Sequence, residues 1–377
     1  MIDLNVIYNE DARDTMKRMP DCFVDSCVTD PPYELGFMGK KWDSSGISYD
    51  VEFWASVLRV LKPGGYLLAF GGTRTYHRMV CAIEDAGFEI RDQIQWIYGS
   101  GFPKSLNLGG GWGTGLKPAN EPICVARKPI SEKTVAENML KHGTGGINID
   151  GCRIDFSGPE DYNSATFGRG TNIIGGNYVG ATHSTGEINI KANPAGRFPS
   201  NVIMDKEAAA LLDEQAPSTG AFAPVKSGHP GKSKGIYGDF AQKGDDGETF
   251  YSDRGGASRF FYIPKADRDE RNAGLHQFQA KPLIWSSGDK NPGSFQSENT
   301  NRSAQNFHPT VKPIKLIQYL QRLVTPSGGL TYDPFGGSGT AALAANNEGF
   351  KWILSERVTE YYDIANKRIF HHAGLFR

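Results

Sequence analysis

Apolar and polar positions alternate in blocks whose period changes along the chain. Residues 23–29 carry Val24, Cys27, Val28 and Thr29 and predict a strand, although Asp25 and Ser26 interrupt the apolar run. Residues 51–61 place Phe53, Trp54, Val57, Leu58 and Leu61 at helical spacing, and Lys62-Pro63-Gly64-Gly65 marks the stop. A short apolar strand (66–70), a helix (74–86) and a long strand (88–98) follow, closed by Gly99-Ser100-Gly101. The last part of the chain returns to this rhythm. A helix over 313–324, with its proline in the first turn, precedes a strand at 330–332, a helix over 338–348, a strand at 352–355 and a helix over 359–371. Alternating strands and helices predict an α/β fold with a mostly parallel, doubly wound sheet.

The middle differs. Residues 141–200 hold twelve glycines, against 46 in all 377 residues, and strand-like pieces remain only at 147–149, 201–204 and 259–263. The reading is a loop-rich module inserted at 128–304, between a first core segment (1–127) and a last one (305–377).

Composition agrees with a folded chain: 38% hydrophobic and 22% charged residues. The longest apolar runs are far too short to cross a bilayer, and the first residues lack a basic start and apolar stretch, so no membrane and a cytoplasmic location are expected. The five cysteines (22, 27, 81, 124, 152) show no Cys-x-x-Cys spacing. They read as buried small hydrophobes, with no metal site. A net charge of −1 gives no global attraction to nucleic acid. Local basic stretches exist nonetheless. Residues 299–332 hold Arg302, Lys312, Lys315 and Arg322, and residues 224–237 hold Lys226, Lys232 and Lys234, with no acid in either. An ordinary solvated face is the alternative for each.

Two motifs carry chemistry. Asp30-Pro31-Pro32-Tyr33 follows the strand at 23–29. An exocyclic amino nitrogen on a nucleobase is a poor nucleophile because its lone pair is delocalised. A carboxylate (Asp30) and the main-chain carbonyl of Pro31 can accept its two protons, Pro31 and Pro32 stiffen the turn, and Tyr33 offers a stacking face. A base inside a duplex is out of reach, so such a pocket implies base flipping. Asp333-Pro334-Phe335-Gly336-Gly337-Ser338-Gly339-Thr340 follows the strand at 330–332 and opens a helix. Its glycines permit a sharp turn close to a ligand, and the absence of Gly-Lys-Ser/Thr disfavours a nucleoside triphosphate. In an open α/β sheet both motifs would lie at carboxyl ends of strands and converge on one cleft.

In this order the two motifs resemble the S-adenosylmethionine-dependent amino-methyltransferases that modify adenine N6 or cytosine N4 in DNA. The catalytic motif comes first, as in the permuted (beta) branch. The resemblance covers residues 1–127 and 305–377 and implies a Rossmann-like sheet of the methyltransferase type, the inserted module being the target-recognition region. It carries the catalytic role to Asp30, Pro31, Pro32 and Tyr33. It carries S-adenosylmethionine contacts to Asp333, Phe335, Gly337, Ser338, Gly339 and Thr340, and to Glu356 as the acid for the ribose hydroxyls. His308-Pro309-Thr310-Val311-Lys312-Pro313 resembles the segment closing over the methionine end, so His308, Thr310 and Lys312 join the cofactor set. Asp11 stands where the family reads the cofactor's adenine amino group. Four residues have plainer readings beside these: Asp11 as a helix N-cap, Glu356 as an acid favoured near a helix start, and His308 and Lys312 as surface residues.

DNA contacts are expected from Lys40, Lys41 and Trp42 in the loop after the catalytic motif, with Trp42 alternatively tucked into the core, and from Lys104, Lys232 and Arg302. Trp96-Ile97-Tyr98-Gly99-Ser100-Gly101-Phe102-Pro103-Lys104 and Asn120-Glu121-Pro122-Ile123 are similar to the segments flanking the target base. The stretches 145–153 and 196–201 are similar to phage- and prophage-borne members. The expected partner is double-stranded DNA, with a homodimer expected from the branch's habit. Adenine N6 is preferred because the motif begins with Asp, where cytosine-N4 members more often carry Ser. Cytosine N4, and a relative that binds DNA without catalysis, stay open. An Asn would be expected in place of Asp30 in a protein-amide methyltransferase.

Overall fold

A computed structural model describes residues 2–36, 41–99, 101, 105–159, 161–162, 192–216, 256–264, 269–282 and 303–374, together with two short strand pairs at 168–169/188–189 and 234–235/238–239. The described residues fall into two compact units. One comprises Met1–Cys152, Ser200–Ala208 and Tyr262–Arg377, the other Arg153–Pro199 and Ala209–Phe261.

The first unit is built on one eight-stranded sheet. In chain order its strands are β1 (Val6–Tyr8), β2 (Val24–Thr29), β3 (Leu61–Phe70), β4 (Glu89–Ile97), β5 (Asn120–Arg127), β6 (Val202–Met204), β7 (Leu330–Asp333) and β8 (Lys351–Ser355). Across the sheet they run β1-β8-β7-β2-β3-β5-β4-β6. Every pairing is parallel except the two made by β5, which runs against both β3 and β4. The expected mostly parallel sheet is therefore present.

Side-chain alternation explains the two covered faces. On β3, Tyr66, Leu68 and Phe70 join α6 (Ile314–Val324) and α7 (Thr340–Glu348) in one core. Leu67 and Ala69 point the other way, to α1 (Ala12–Arg18), α2 (Val51–Val60) and α3 (Tyr76–Asp85). Successive strand residues face opposite sides, so one strand feeds both layers. Helix α2 starts at Asp50, whose carboxylate accepts from the amides of Glu52 (3.0 Å) and Phe53 (3.2 Å).

The structure departs from several local expectations. Lys62-Pro63-Gly64-Gly65 ends α2 but does not form a separate loop. These residues lie inside β3, where a register irregularity between Val24 and Ser26 absorbs them and Gly64 donates to the Lys128 carbonyl at 3.1 Å. The polar residues of β2 are buried yet satisfied. Asp25 takes Lys62 Nζ at 2.6 Å and the Leu330 amide at 2.7 Å, and the Ser26 hydroxyl meets that of Thr325 at 2.8 Å. Pro313 is the N-cap of α6, one position ahead of its first turn. Residues 147–149 form no strand and lead into a 3-10 turn (Asp150–Cys152), and 259–263 become a 3-10 turn (Ala257–Phe260) with a single bridge from Tyr262 to Ile203. Cys27, Cys124 and Cys152 are buried, but Cys22 and Cys81 are exposed. Cys22 stands in the positive-φ turn before β2 (φ 55°) and Cys81 on the outer side of α3.

The sheet unit takes in more than 1–127 and 305–377. Helix α4 (Val135–His142) carries a capping box of Thr134 with Glu137, and its buried Asn138 donates to the carbonyls of Pro63 and Thr144, both at 2.8 Å. Strand β6 is an edge of the main sheet, and the start of α5 (Lys206–Gln215), through Ala208, belongs to the same unit. In the second unit Asp161 is gripped by Arg197 (2.5 and 2.7 Å) and Arg259 (3.1 Å), and the Arg197 guanidinium lies over Phe156 and Phe260. No helix of the described residues is long and apolar enough to cross a membrane.

Candidate active site

The strand order lines up acids along one edge of the sheet. Asp11 follows β1, Glu356 follows β8, Asp333 ends β7 and Asp30 follows β2, all at carboxyl ends of parallel strands. Next come Gly71 and Gly72 after β3, and then Glu121. Glu121 reaches the same edge from the opposite direction because β5 is antiparallel and begins there. The two motifs thus sit on adjacent strands: β7 pairs with β2 through Thr331–Ser26 and Tyr332–Cys27. The Thr29 hydroxyl donates to Asp333 Oδ1 at 2.6 Å and stitches the motifs together.

Around Asp333 the chain turns tightly. Its carboxylate also accepts from the Phe335 amide at 3.0 Å. Gly337 (φ +52°) and Gly339 (φ +81°) take conformations that disfavour other residues, and a Cβ would lie 3.0 Å from His308 Nε2 at the first and 3.0 Å from Ala365 Cβ at the second. Glu356 accepts from the amides of Gly337 (2.9 Å) and Val358 (2.7 Å). Burial pushes both carboxyls, Asp333 and Glu356, up to about 7. Ser338 and Thr340 are held from behind by the buried Arg368, whose guanidinium donates to the Ser338 carbonyl (2.6 Å) and hydroxyl (3.0 Å) and to the Thr340 hydroxyl (3.2 Å). His308 stacks edge-on to Tyr361, and burial lowers its imidazole to about 3, so the ring is neutral.

The other half of the edge is a cluster of charges. Lys312 Nζ donates to Asp30 Oδ2 at 2.5 Å and approaches the Tyr33 hydroxyl and Glu121 Oε2, each at 3.3 Å. It lies 4.8 Å from the centre of the Phe70 ring. Tyr33 donates to Glu121 at 2.8 Å, and burial holds its phenol well above the ordinary value, so it stays a donor. Burial alone would lower the Lys312 pKa, but Asp30 and Glu121 outweigh it and keep the ammonium charged. The turn bearing Asp30 to Tyr33 is fixed through its carbonyls: Thr75 donates to Tyr33 O at 2.7 Å and Ser48 to Pro32 O.

The edge thus holds a carboxylate at each of two adjacent strand tips, with a tight glycine turn behind one and a clamped aromatic beside the other. The DNA methylase family model (N6/N4 methyltransferases) matches residues 24–165 and 225–367, well over half of the chain. The chain belongs to the DNA methylase family.

Among relatives, the type II methyltransferase M.HindIII of Haemophilus influenzae is 32% identical over 116 residues, which is 26% of this chain and 38% of that enzyme. M.BamHII of Bacillus amyloliquefaciens, an orphan methyltransferase, is 34% identical over 103 residues, 27% of this chain and 37% of the relative. The chain thus spans well under half the length of these curated relatives. The PvuII DNA methyltransferase structure (cytosine-N4-specific) superposes with a TM-score of 0.49 at 15% identity, covering 96% of this chain and 85% of that one.

The methylase family's cofactor is S-adenosylmethionine. The turn suits it: the two positive-φ glycines let the backbone pack directly on His308 and Ala365 where a Cβ would crowd them, and Asp333 and Glu356 supply acceptors beside the turn. Of the expected cofactor residues, Asp333, Phe335, Gly337, Gly339, Glu356 and His308 are gathered here. Ser338 and Thr340 hold the turn through Arg368, and Thr310 is exposed beside His308. Asp11 acts as the N-cap of α1, accepting from the Arg13 amide at 3.0 Å. The Lys312 ammonium is engaged by Asp30, on the strand next to the one that carries the glycine turn.

Lys40, Lys104, Lys232 and Arg302 lie outside the described residues, as do the side chains of Lys41 and Trp42. Three contributors have no assigned role in the sequence reading. Glu121 lies in a segment similar to those flanking the target base, but nothing in that segment marks it as the residue that meets Lys312. Arg368 is one turn beyond Ile364 and Ala365, on the buried face of α8 (Thr359–Gly374), and that spacing is its available signal. Thr29 reads only as the end of a strand.

Proposed function

We propose that this chain is a site-specific DNA methyltransferase of the permuted branch, transferring a methyl group to adenine N6 of a flipped base. The adjacency of Asp30 and Asp333 on paired parallel strands carries the reading, because it puts an amino-group acceptor beside the cofactor turn.

Bound S-adenosylmethionine supplies an electrophilic methyl group. Asp333, Glu356 and the turn from Phe335 to Gly339 hold it. Asp30 accepts a hydrogen bond from one N–H of the target amino group and the Pro31 carbonyl a hydrogen bond from the other, which localises the nitrogen lone pair; the nitrogen sheds a single proton once it is methylated. Tyr33, clamped by Glu121 and Thr75, provides the stacking face, offsetting part of the unstacking cost of a few kcal/mol. Orientation and fixed charges account for the catalysis without a covalent intermediate on the protein.

The inserted region 128–304 is assigned to target recognition and Lys40, Lys41, Trp42, Lys104, Lys232 and Arg302 to DNA contact, with the chain acting as a homodimer in the cytoplasm. A hairpin between β4 and β5 adds an exposed face: Leu106 (67%), Leu108 (65%), Trp112 (76%) and Leu116 (93%) all lie open. It joins the two strands that end and begin at the catalytic edge, so it suits contact with unstacked bases. Cytosine N4 is the second reading, favoured by 43% identity to M.PvuII of Proteus hauseri over 54 residues.

Labelled methyl transfer from S-adenosylmethionine to duplex DNA tests the reading. Asp30→Ala is expected to abolish incorporation while cofactor binding persists. Loss of cofactor binding in that variant would show that the two roles are misassigned.

A further inference from the structure

The ammonium of Lys312 stands where an amino group belongs. It donates to the aspartate of the catalytic motif at 2.5 Å, lies 4.8 Å from the Phe70 ring centre and 5.5 Å from that of Tyr33, and touches the Tyr33 hydroxyl. Among the described residues Asp30 Oδ1 is buried and has no hydrogen-bond partner, so Oδ2 alone is engaged, and by lysine. A neutral amino group that takes the place of the ammonium on Oδ2 therefore competes with an ion pair. In a desolvated site that competition is lost unless the displaced ammonium keeps a counter-charge, because a buried charge left without a partner is strongly disfavoured.

Glu121 supplies the counter-charge. Its Oε2 is already 3.3 Å from Lys312 Nζ, so a small rotation of the lysine end exchanges one carboxylate for the other. The acceptor does not wander, since the Tyr33 hydroxyl donates to the same oxygen at 2.8 Å. The reversed direction of β5 is what brings this glutamate to the edge. We infer that Glu121 is a positioning residue, which receives the Lys312 ammonium as the target amino group takes its place on Asp30. The inference rests on the methyltransferase reading.

Glu121→Gln keeps an acceptor for Tyr33 and the side-chain shape while removing the charge. Steady-state methyl transfer to duplex DNA by the full chain is expected to show a KM for DNA raised about tenfold, with kcat changed less than about threefold and cofactor affinity unaltered. Adding Lys312→Met to that variant removes the competing ammonium and is expected to bring the KM back toward the wild-type value. A purely structural role for Glu121 would lower kcat or cofactor affinity and would not be relieved by the second substitution. An active wild type with an unchanged KM in Glu121→Gln, or a double variant no better than the single one, overturns this inference alone. A wild type that transfers no methyl group to DNA overturns the methyltransferase reading and this inference together.

Discussion

Thr29 and Asp333, 304 residues apart in the chain, share a 2.6 Å hydrogen bond at the centre of the sheet. Both are buried, and the bond joins the strand that presents Asp30 to the strand that presents the glycine turn. Thr29→Val keeps the shape and removes the donor to a buried carboxylate. The expected loss of stability is about 1–3 kcal/mol, read from the urea midpoint. An unchanged midpoint would mean that the bond contributes nothing beyond packing.

The same burial makes the side around Asp333 and Glu356 sensitive to pH. Asp333 and Glu356 rise from ordinary values of 3.8 and 4.5 to about 7 on folding. The folded state therefore binds these protons more tightly than the unfolded chain. Their contribution to stability is complete below about pH 4 and is lost as the pH rises toward and through about 7. In the ligand-free protein, Tm should fall less over that window in Asp333→Asn than in the wild type. Parallel curves for the two would contradict the shift. Cofactor affinity should move the other way, strengthening as Glu356 ionises and becomes the better acceptor, and Glu356→Gln should flatten that rise.

Arg368 holds the glycine turn from beneath through three contacts with Ser338 and Thr340. Arg368→Met fills the space but leaves these oxygens without their donor. A loss of about 3 kcal/mol in stability and weaker cofactor binding are expected, from denaturation and calorimetry respectively. Normal cofactor affinity in a folded variant would remove Arg368 from the account of the turn.

Affinity for DNA should fall steeply with salt, since phosphate contacts dominate non-specific binding. Residues 93–120 contain no acid, and the hairpin within them exposes Trp112. Trp112→Ala is expected to weaken binding of duplex DNA by about 1 kcal/mol or more in fluorescence anisotropy, with Tm unchanged. A flat salt response, or wild-type affinity in the variant, would take the hairpin and the basic stretches out of the DNA face.

The periodic elements are legible in the sequence to within a few residues because each buries a regular face: Phe53, Trp54 and Val57 on α2, or Leu67 and Ala69 against Leu68 and Phe70 on β3. The glycine turn is legible because Gly337 and Gly339 are demanded by positive φ. Long-range partners are not. Nothing local in β5 says that it runs backwards, and Pro122 argues against a strand; only pairing with β3 and β4 reveals why Glu121 reaches the edge. Lys312 lies within a recognisable segment, yet its partner is 282 residues away and is chosen by the fold. The bulge at Gly64 is hidden for the same reason, since its partner carbonyl belongs to Lys128.

Weighing the nucleosides released from DNA after incubation with the chain and S-adenosylmethionine goes most directly to the proposed chemistry. N6-methyladenine is expected from the wild type and none from Asp30→Ala. N4-methylcytosine alone, or no methylated base at all, would contradict the adenine reading.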